Sequence, residues 1–336
     1  MTSTTLSGAS GVLGRVINYR PPTRYVPMLA TLALLIGMFG YGSIRFSGFS
    51  DPQVVLGLFV DNAHLIVLAV GVTFVILTGG IDLSVGAMVA LSTIILARTL
   101  AAGWPLPLAI LVVLLAGTVL GLLHGVVIHY FDVQPFIATL AGMFLARGLC
   151  YLLAPHSIPI TNHTMTSFAE ATVNLPGGYW VTRMVIIALV VVAVAMWVLH
   201  RTRFGRTVYA IGGSEDSALL MGLRVARVKI GVYMISGLCS AIGGLLFGLY
   251  ILSGYSLHAV GMELDAIAAV VIGGTLLTGG TGLVFGSMLG VLVLGTILTY
   301  INFDGTLSAW WTKIAAGILL LLFVMLQRLV TRRQQT

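Results

Sequence analysis

Charge is what this sequence has least of. Only 8% of its 336 residues are Asp, Glu, Lys or Arg, against about 25% in soluble domains. Lysine is nearly missing: Lys229 and Lys313 stand alone, and the other basic residues are arginines. A phosphate-binding GxxxxGK[ST] loop needs lysine after glycine and before Ser or Thr. Lys229 follows Val228 and Lys313 precedes Ile314, so ATP hydrolysis by this chain is excluded. Cysteine is scarce too. Cys150 and Cys239 both fall inside apolar runs, which suits buried small hydrophobes rather than a disulfide, a metal site or a redox pair. The seven histidines show no metal-ligand spacing, and His64 and His124, on apolar runs, read as satisfied interior residues. Short segments of polar–apolar alternation are missing, which argues against a β-barrel. No short apolar stretch with a small-residue cleavage site opens the chain, so no removable signal peptide is expected.

What is there is hydrophobic. Apolar residues make up 58% and the mean hydropathy is +1.07, so most of the chain prefers lipid to water. A helix crossing the ~30 Å hydrocarbon core needs about 20 apolar residues. The apolar runs predict ten spans, at 26–44, 54–78, 83–100, 106–129, 136–154, 180–199, 230–252, 264–278, 283–300 and 312–328. Each must be helical, because backbone groups in lipid have to satisfy one another. The fold class is therefore an all-α polytopic membrane protein. Residues 1–25 form an N-terminal tail, 26–328 a transmembrane domain interrupted by the loop 200–229, and 329–336 a C-terminal tail.

Arginine and lysine set the orientation. With the N-terminus inside, the inner segments hold Arg15, Arg20 and Arg24, then Arg201, Arg203, Arg206, Arg224, Arg227 and Lys229, then Arg328, Arg332 and Arg333. Those are twelve of the 17 basic residues, so the net charge of +7 reflects topology and implies no nucleic-acid partner. An even number of spans puts both termini in the cytoplasm. Trp104, Trp180, Trp310 and Trp311 fall at outer ends of spans and Trp197 at an inner end, as interfacial anchors do.

Leu77-Thr78-Gly79-Gly80 recurs as Leu277-Thr278-Gly279-Gly280, and the match continues at Leu83/Leu283, Gly86/Gly286 and Met88/Met288. The same offset roughly carries spans 1–4 onto spans 7–10, so an internal repeat is expected, its copies parallel in this topology or related by inverted symmetry. Transporters often build their substrate sites where such repeats meet. Both copies break an apolar run with Gly-Gly. A broken, pathway-lining element is one reading; tight packing around an ordinary turn is the other. The candidate pathway residues are Asn62, Gly79, Gly80, Asp82, Arg147, Asp265, Gly279 and Gly280. Asp82 suits an N-cap of span 3 or a substrate contact. Arg147, inside a span, must find a partner there, either structurally or as part of a gate. Asp61, Asn62, Glu263 and Asp265 suit either solute hydroxyls or helix caps.

Within the loop 200–229, Ser214 to Gly222 predicts a short helix: Ser214 caps it, Glu215 and Asp216 fill its first turn, and Gly222 ends it. It presents Leu219, Leu220 and Met221 together, as a docking helix would; the alternative is a solvated basic loop. Gly212, Gly213, Glu215, Asp216, Ala218, Leu219, Leu220 and Gly222 are the candidate coupling residues.

Several stretches, in order and at suitable spacing over about 26–328, resemble the permease subunits of bacterial sugar ABC importers of the ribose/galactose class. They are Gly-Gly-Ile-Asp-Leu-Ser-Val-Gly at 79–86, Arg203-Phe204-Gly205 with Tyr209 to Gly213, Ala218 to Gly222, and Val271 to Thr275. Glu263 to Ala268, Ile301 to Ser308 and Trp310 to Lys313 are most similar to galactofuranose importer permeases. The resemblance implies no cofactor on this chain. It implies a cytoplasmic ATPase that uses ATP and docks on 210–222, a second permease subunit (the same chain or a paralogue), and a periplasmic sugar-binding protein. The setting would be the inner membrane, with alternating access between its two sides. The competing functions are a secondary transporter driven by a proton or sodium gradient, and a channel.

Overall fold

The computed structural model describes residues 25–306, 308 and 310–332, with side chains to 327. Arg15, Arg20, Arg24 and Arg333 lie outside the described residues, as do the N-terminal tail up to residue 24, Leu307, Ala309 and residues 333–336 of the C-terminal tail.

The fold is helical. Helices α1 (Val26–Arg45), α2 (Pro52–Leu77), α3 (Val85–Ala101), α4 (Leu106–Tyr130) and α5 (Pro135–Leu153) come first. A cap follows, made of β1 (Ile158–Pro159), α6 (His163–Glu170), β2 (Thr172–Asn174) and β3 (Trp180–Thr182). Then come α7 (Arg183–Arg201), α8 (Arg203–Gly213), α9 (Glu215–Leu220), α10 (Val225–Ile251), β4 (Ser253–Gly254), α11 (Met262–Ile272), α12 (Val284–Asp304) and α13 (Trp310–Arg332). The strands form two small antiparallel pairs, β1 with β4 and β2 with β3.

Sequence reading expects ten spans. Among the described residues, eight helices are long and apolar enough to cross a membrane. The expected spans 83–100 and 264–278 are instead the 17-residue α3 and the 11-residue α11. At 1.5 Å per residue α11 is only about 16 Å long, roughly half the hydrocarbon thickness. Glycine pairs explain both interruptions. Gly79 (φ +78°) ends α2, with Gly80 N–H bonded to Val75 O and Gly79 N–H to Ile76 O. Gly274 (φ +96°) ends α11 in the same way, with Thr275 N–H bonded to Val270 O and Gly274 N–H to Val271 O. This is the six-to-one, five-to-two closure that stops a helix at a left-handed residue. In the second copy the helix therefore stops at Gly273-Gly274, before the repeated Gly279-Gly280. Residues 78–84 and 273–283 run non-helical. The expected span 180–199 also starts late, because Trp180 to Thr182 form β3.

The core is central rather than axial to each helix. Helices α2 and α12 are buried along most of their length, whereas α1, α4 and α13 keep a broad apolar face outward. That distribution suits a bundle whose rim meets lipid. Close backbone approach holds it together. On α4, Gly117, Gly121 and Gly125 are spaced one turn apart. A Cβ on them would fall 2.4 Å from Gly237 O, 2.2 Å from Tyr233 O and 2.6 Å from Ile230 Cα, all on α10. Small residues at this spacing let membrane helices pack by van der Waals contact where no hydrophobic drive separates protein from lipid. Helices α11 and α12 use the same device: Gly290 meets Ala269, and Gly286 meets Gly273.

The two ends of the bundle are distinct. At one end the start of α1 meets the end of α11: Pro27 packs on Gly274, and the Thr31 hydroxyl donates to Ile272 O. The end of α2 and helices α8 and α9 share that end. At the other end, Gln53 clasps the β2–β3 hairpin through both the N–H and the carbonyl of Trp180, at 3.1 and 3.0 Å. An aromatic cluster of Phe39, Phe46, Phe49, Tyr300 and Phe303 joins α1 to α12 there. All five tryptophans are exposed at the rim, as interfacial anchors would be.

Candidate functional site

The loop 200–229 is more structured than its sequence suggests. Thr202 caps α8, its hydroxyl accepting from Gly205 N at 3.2 Å, a helix the basic composition of the loop concealed. Ser214 then closes α8 and starts α9: its N–H bonds Ala210 O at 3.1 Å, and its hydroxyl accepts from Ser217 N at 3.2 Å. Glu215 and Asp216 occupy the first turn of α9, and Gly222 (φ +72°) follows it. Glu215 is also paired with Lys229 at 2.8 Å, which ties α9 to the start of α10. Ala218 is fully buried, so one side of α9 is fixed to the body of the protein. On the other side Leu219, Leu220 and Met221 are 52%, 90% and 66% exposed.

The glycines of the two repeat copies meet one another and meet this loop. Gly280 N–H donates to Leu77 O at 2.9 Å. A Cβ on Gly279 would lie 2.7 Å from Gly79 N, and one on Gly212 would lie 2.3 Å from Gly280 N. Gly79, Gly279, Gly280 and Gly212 are thus one contact of bare backbones. Gly80 points elsewhere, against the Tyr233 hydroxyl, and Gly213, expected among the coupling residues, faces open space and stands outside this contact. Tyr209, which was not among the expected site residues, donates its hydroxyl to Gly282 O at 2.9 Å. Its place one turn before Gly212-Gly213 on an amphipathic helix was the signal available.

Asp82 lies in the non-helical run 78–84 and is buried. It is not the cap of α3, which starts after Ser84. Its carboxylate accepts from Ser84 N at 2.9 Å, the Ser84 hydroxyl at 2.6 Å and the Ser236 hydroxyl of α10 at 2.7 Å. Thr139 of α5 donates to the neighbouring Ile81 O at 3.3 Å. Close by, the ring nitrogens of His124 and the Tyr233 hydroxyl are buried with no hydrogen-bond partner among the described residues. For His124 this differs from the satisfied interior histidine that the sequence suggests. This polar pocket between α4, α5 and α10 escaped sequence reading because its members come from four separate segments.

Arg147 does find partners. Its guanidinium donates to Ser256 O at 2.7 Å and His258 O at 2.8 Å, pinning the loop between α10 and α11. In that loop, burial and then the charge of Arg147 lower the His258 pKa below its usual value. Glu263, in the first turn of α11, brings its carboxylate over the first turn of α3: a Cβ on Gly86 would lie 2.1 Å from Glu263 Oε2. The starts of the two short helices therefore abut, with an acid where the positive end of α3 favours one. Asp265 is ion-paired with Lys313 of α13, its Oδ1 at 2.6 Å. Asn62 hydrogen-bonds Leu58 O at 2.9 Å and packs on Gly295 of α12. Asn62, Asp82, Arg147 and Asp265 are thus spread over the bundle, while Gly79, Gly279 and Gly280 converge with Gly212.

Residues 54–324 match the profile of the family described as branched-chain amino acid transport system / permease component. The chain is 45% identical over 309 residues to the inner membrane ABC transporter permease protein YjfF of Escherichia coli K12, covering 92% of this chain and 93% of that one. It is 43% identical to the fructose import permease protein FruG of Bifidobacterium longum, covering 91% of each. It is 41% identical to the ribose import permease protein RbsC of Bacillus subtilis, covering 85% of this chain and 88% of that one. No solved structure matches the chain significantly.

Proposed function

The chain belongs to the branched-chain amino acid transport system / permease component family, a non-catalytic transmembrane subunit of an ABC transporter, and we propose that it forms the inner-membrane pathway of an ATP-driven sugar importer. The family description names amino acids, but the relatives matched over most of their length are named for fructose and ribose import. The resemblance of 263–268, 301–308 and 310–313 supports galactofuranose or a related monosaccharide as the substrate. Bilayer lipid surrounds the bundle, both termini are cytoplasmic, and no nucleic acid takes part.

The observation that carries this reading is α9. A six-residue helix is capped at Ser214, tied down by Glu215–Lys229 and Ala218, and offers Leu219, Leu220 and Met221 outward on the basic end of the bundle. Apolar side chains held out on a rigid element at a membrane protein's aqueous face suit a protein partner. That partner is a cytoplasmic ATPase. A periplasmic sugar-binding protein docks at the opposite end, where Gln53 holds the β2–β3 hairpin, and a second permease subunit completes the pathway. Asn62, Gly79, Gly80, Asp82, Arg147, Asp265, Gly279 and Gly280 line or brace that pathway. ATP drives alternating access because the ATPase binds one conformation better than the other, and a partner shifts an equilibrium only by such a difference. The test is uptake of radiolabelled galactofuranose into proteoliposomes that hold the permease, the ATPase and the binding protein. ATP-dependent uptake that vanishes without the ATPase is expected. Uptake by the permease alone under a proton or sodium gradient would establish the secondary-transporter alternative.

A further inference from the structure

We propose that the backbone junction of Gly212 with Leu77 and Gly280 transmits motion of α9 to both interrupted segments of the bundle at once. This inference rests on the reading that an ATPase docks on α9.

Three features of the junction support it. It has no side-chain slack: a Cβ on Gly212 would fall 1.9 Å from Leu77 O and 2.3 Å from Gly280 N, and one on Gly280 would fall 3.0 Å from Gly212 O. Backbones this close cannot slide past one another without moving together, because close-packed contacts repel steeply and yield little. It is also linked directly to α9. Ser214 is at once the last cap of α8 and the first cap of α9, so one residue separates the docking helix from the Gly212-Gly213 pair. Finally, it touches both copies of the repeat. Leu77 leads into the run 78–84 that carries buried Asp82, and Gly280 leads through Gly282 into α12. The hydrogen bond from Gly280 N to Leu77 O joins the two copies to each other, so neither moves alone.

The surroundings leave room for movement. A cavity of about 370 Å³ lies beside the junction, lined by Leu199, His200, Arg206, Tyr209 and residues 280–283. Gly280 packs against Gly212 while residues 280–283 border the cavity, with Thr281 O accepting from Leu276 N at 3.0 Å and Gly282 O from the Tyr209 hydroxyl at 2.9 Å. The glycines lie far apart in the chain, and only the fold brings Gly79, Gly279 and Gly280 to Gly212.

The adjacent glycine supplies the control. A Cβ on Gly213 meets nothing within 4 Å. The full permease, its ATPase and the binding protein would be reconstituted in proteoliposomes as wild type, Gly212→Ala, Gly213→Ala and Tyr209→Phe. Sugar imported per ATP hydrolysed would be measured with radiolabelled galactofuranose, ribose, fructose and galactose, using whichever the wild type imports. Gly213→Ala should match wild type. Gly212→Ala should keep the ATPase bound and hydrolysing while sugar per ATP falls about tenfold or more, the scale of a coupling energy between sites. Tyr209→Phe should lower the ratio about two- to tenfold, the worth of one hydrogen bond. If Gly212→Ala does not fold, Tyr209→Phe decides: a lowered ratio supports the link, and an unchanged ratio overturns it. The proposal is also overturned if folded Gly212→Ala couples like wild type, or if it releases the ATPase as completely as Leu220→Asp does. Failure of the docking reading would show separately, as ATPase binding that survives Leu220→Asp.

Discussion

Replacing Leu220 by Asp probes the docking surface with little risk to the fold. Leu220 is 90% exposed, whereas the contacts that hold α9 belong to Ala218, Ser214 and Glu215. The substitution should therefore leave the melting temperature of the isolated permease unchanged. Burying a whole leucine side chain at an interface contributes about 1.5–3 kcal/mol. Its loss alone weakens binding by about 10- to 150-fold, at 1.4 kcal/mol per factor of ten. An unpaired aspartate forced into the same apolar contact adds a desolvation cost, so the total loss should be about 100-fold or more. The assay is a titration of purified ATPase subunit against the permease in lipid nanodiscs, read by a change in mobility or by interferometry. A dissociation constant within about threefold of wild type, below the smallest loss that leucine burial allows, would refute the claim that α9 is the docking element.

Three further outcomes follow from the packing. Arg147→Met removes two charge-assisted hydrogen bonds, to Ser256 O and His258 O. Set against the relief of taking an arginine out of the membrane, the net loss should be about 1–3 kcal/mol; differential scanning fluorimetry should show a fall of several degrees, and an unshifted melt would mean the loop is held by other contacts. Gly290→Leu puts a Cβ 1.9 Å from Ala269 O, a backbone clash that cannot relax, so the variant should aggregate on size-exclusion chromatography; a monodisperse peak would contradict the tight α11–α12 contact. Burial and the charge of Arg147 lower the His258 pKa below its ordinary value near 6.5, so in acid the unfolded chain binds a proton that the folded one refuses. Stability is retained above about pH 6.5 and lost as the pH falls below it, and His258→Asn should flatten the fall in melting temperature between about pH 7 and pH 5.

Long apolar runs made the eight full-length helices legible, because hydropathy over about 20 residues leaves few alternatives. Helix α9 was legible as well: Ser214, Glu215, Asp216 and Gly222 are local signals read by neighbouring backbone groups. Helix α3 (Val85–Ala101) matched the expected 83–100 within two residues, whereas the early end of α11 was not legible. Residues 273–278 are as apolar as a helix, and hydropathy does not distinguish a helix from an extended segment buried in protein. The deciding detail was the left-handed turn at Gly274, one glycine pair earlier than the repeat suggested. Asp82 looked like a cap because it precedes a helix. Its partner Ser236 comes from α10, more than a hundred residues away in the chain, as does the neighbouring Tyr233. The meeting of Gly212 with Gly79, Gly279 and Gly280 was hidden for the same reason. Gly79-Gly80 and Gly279-Gly280 read as either a broken pathway element or a turn and Gly212 as part of the coupling loop, and only the tertiary fold brings them into contact.

Transport by purified components separates the subunit that forms the pathway from the one that supplies the energy. The permease alone, and then the permease with its ATPase, would be sealed into liposomes with the sugar-binding protein on the outside and ATP within. No accumulation of radiolabelled sugar is expected in the first preparation under any ion gradient, and ATP-dependent accumulation is expected in the second. Accumulation by the permease alone would mean that an ion gradient, not a separate ATPase, drives transport.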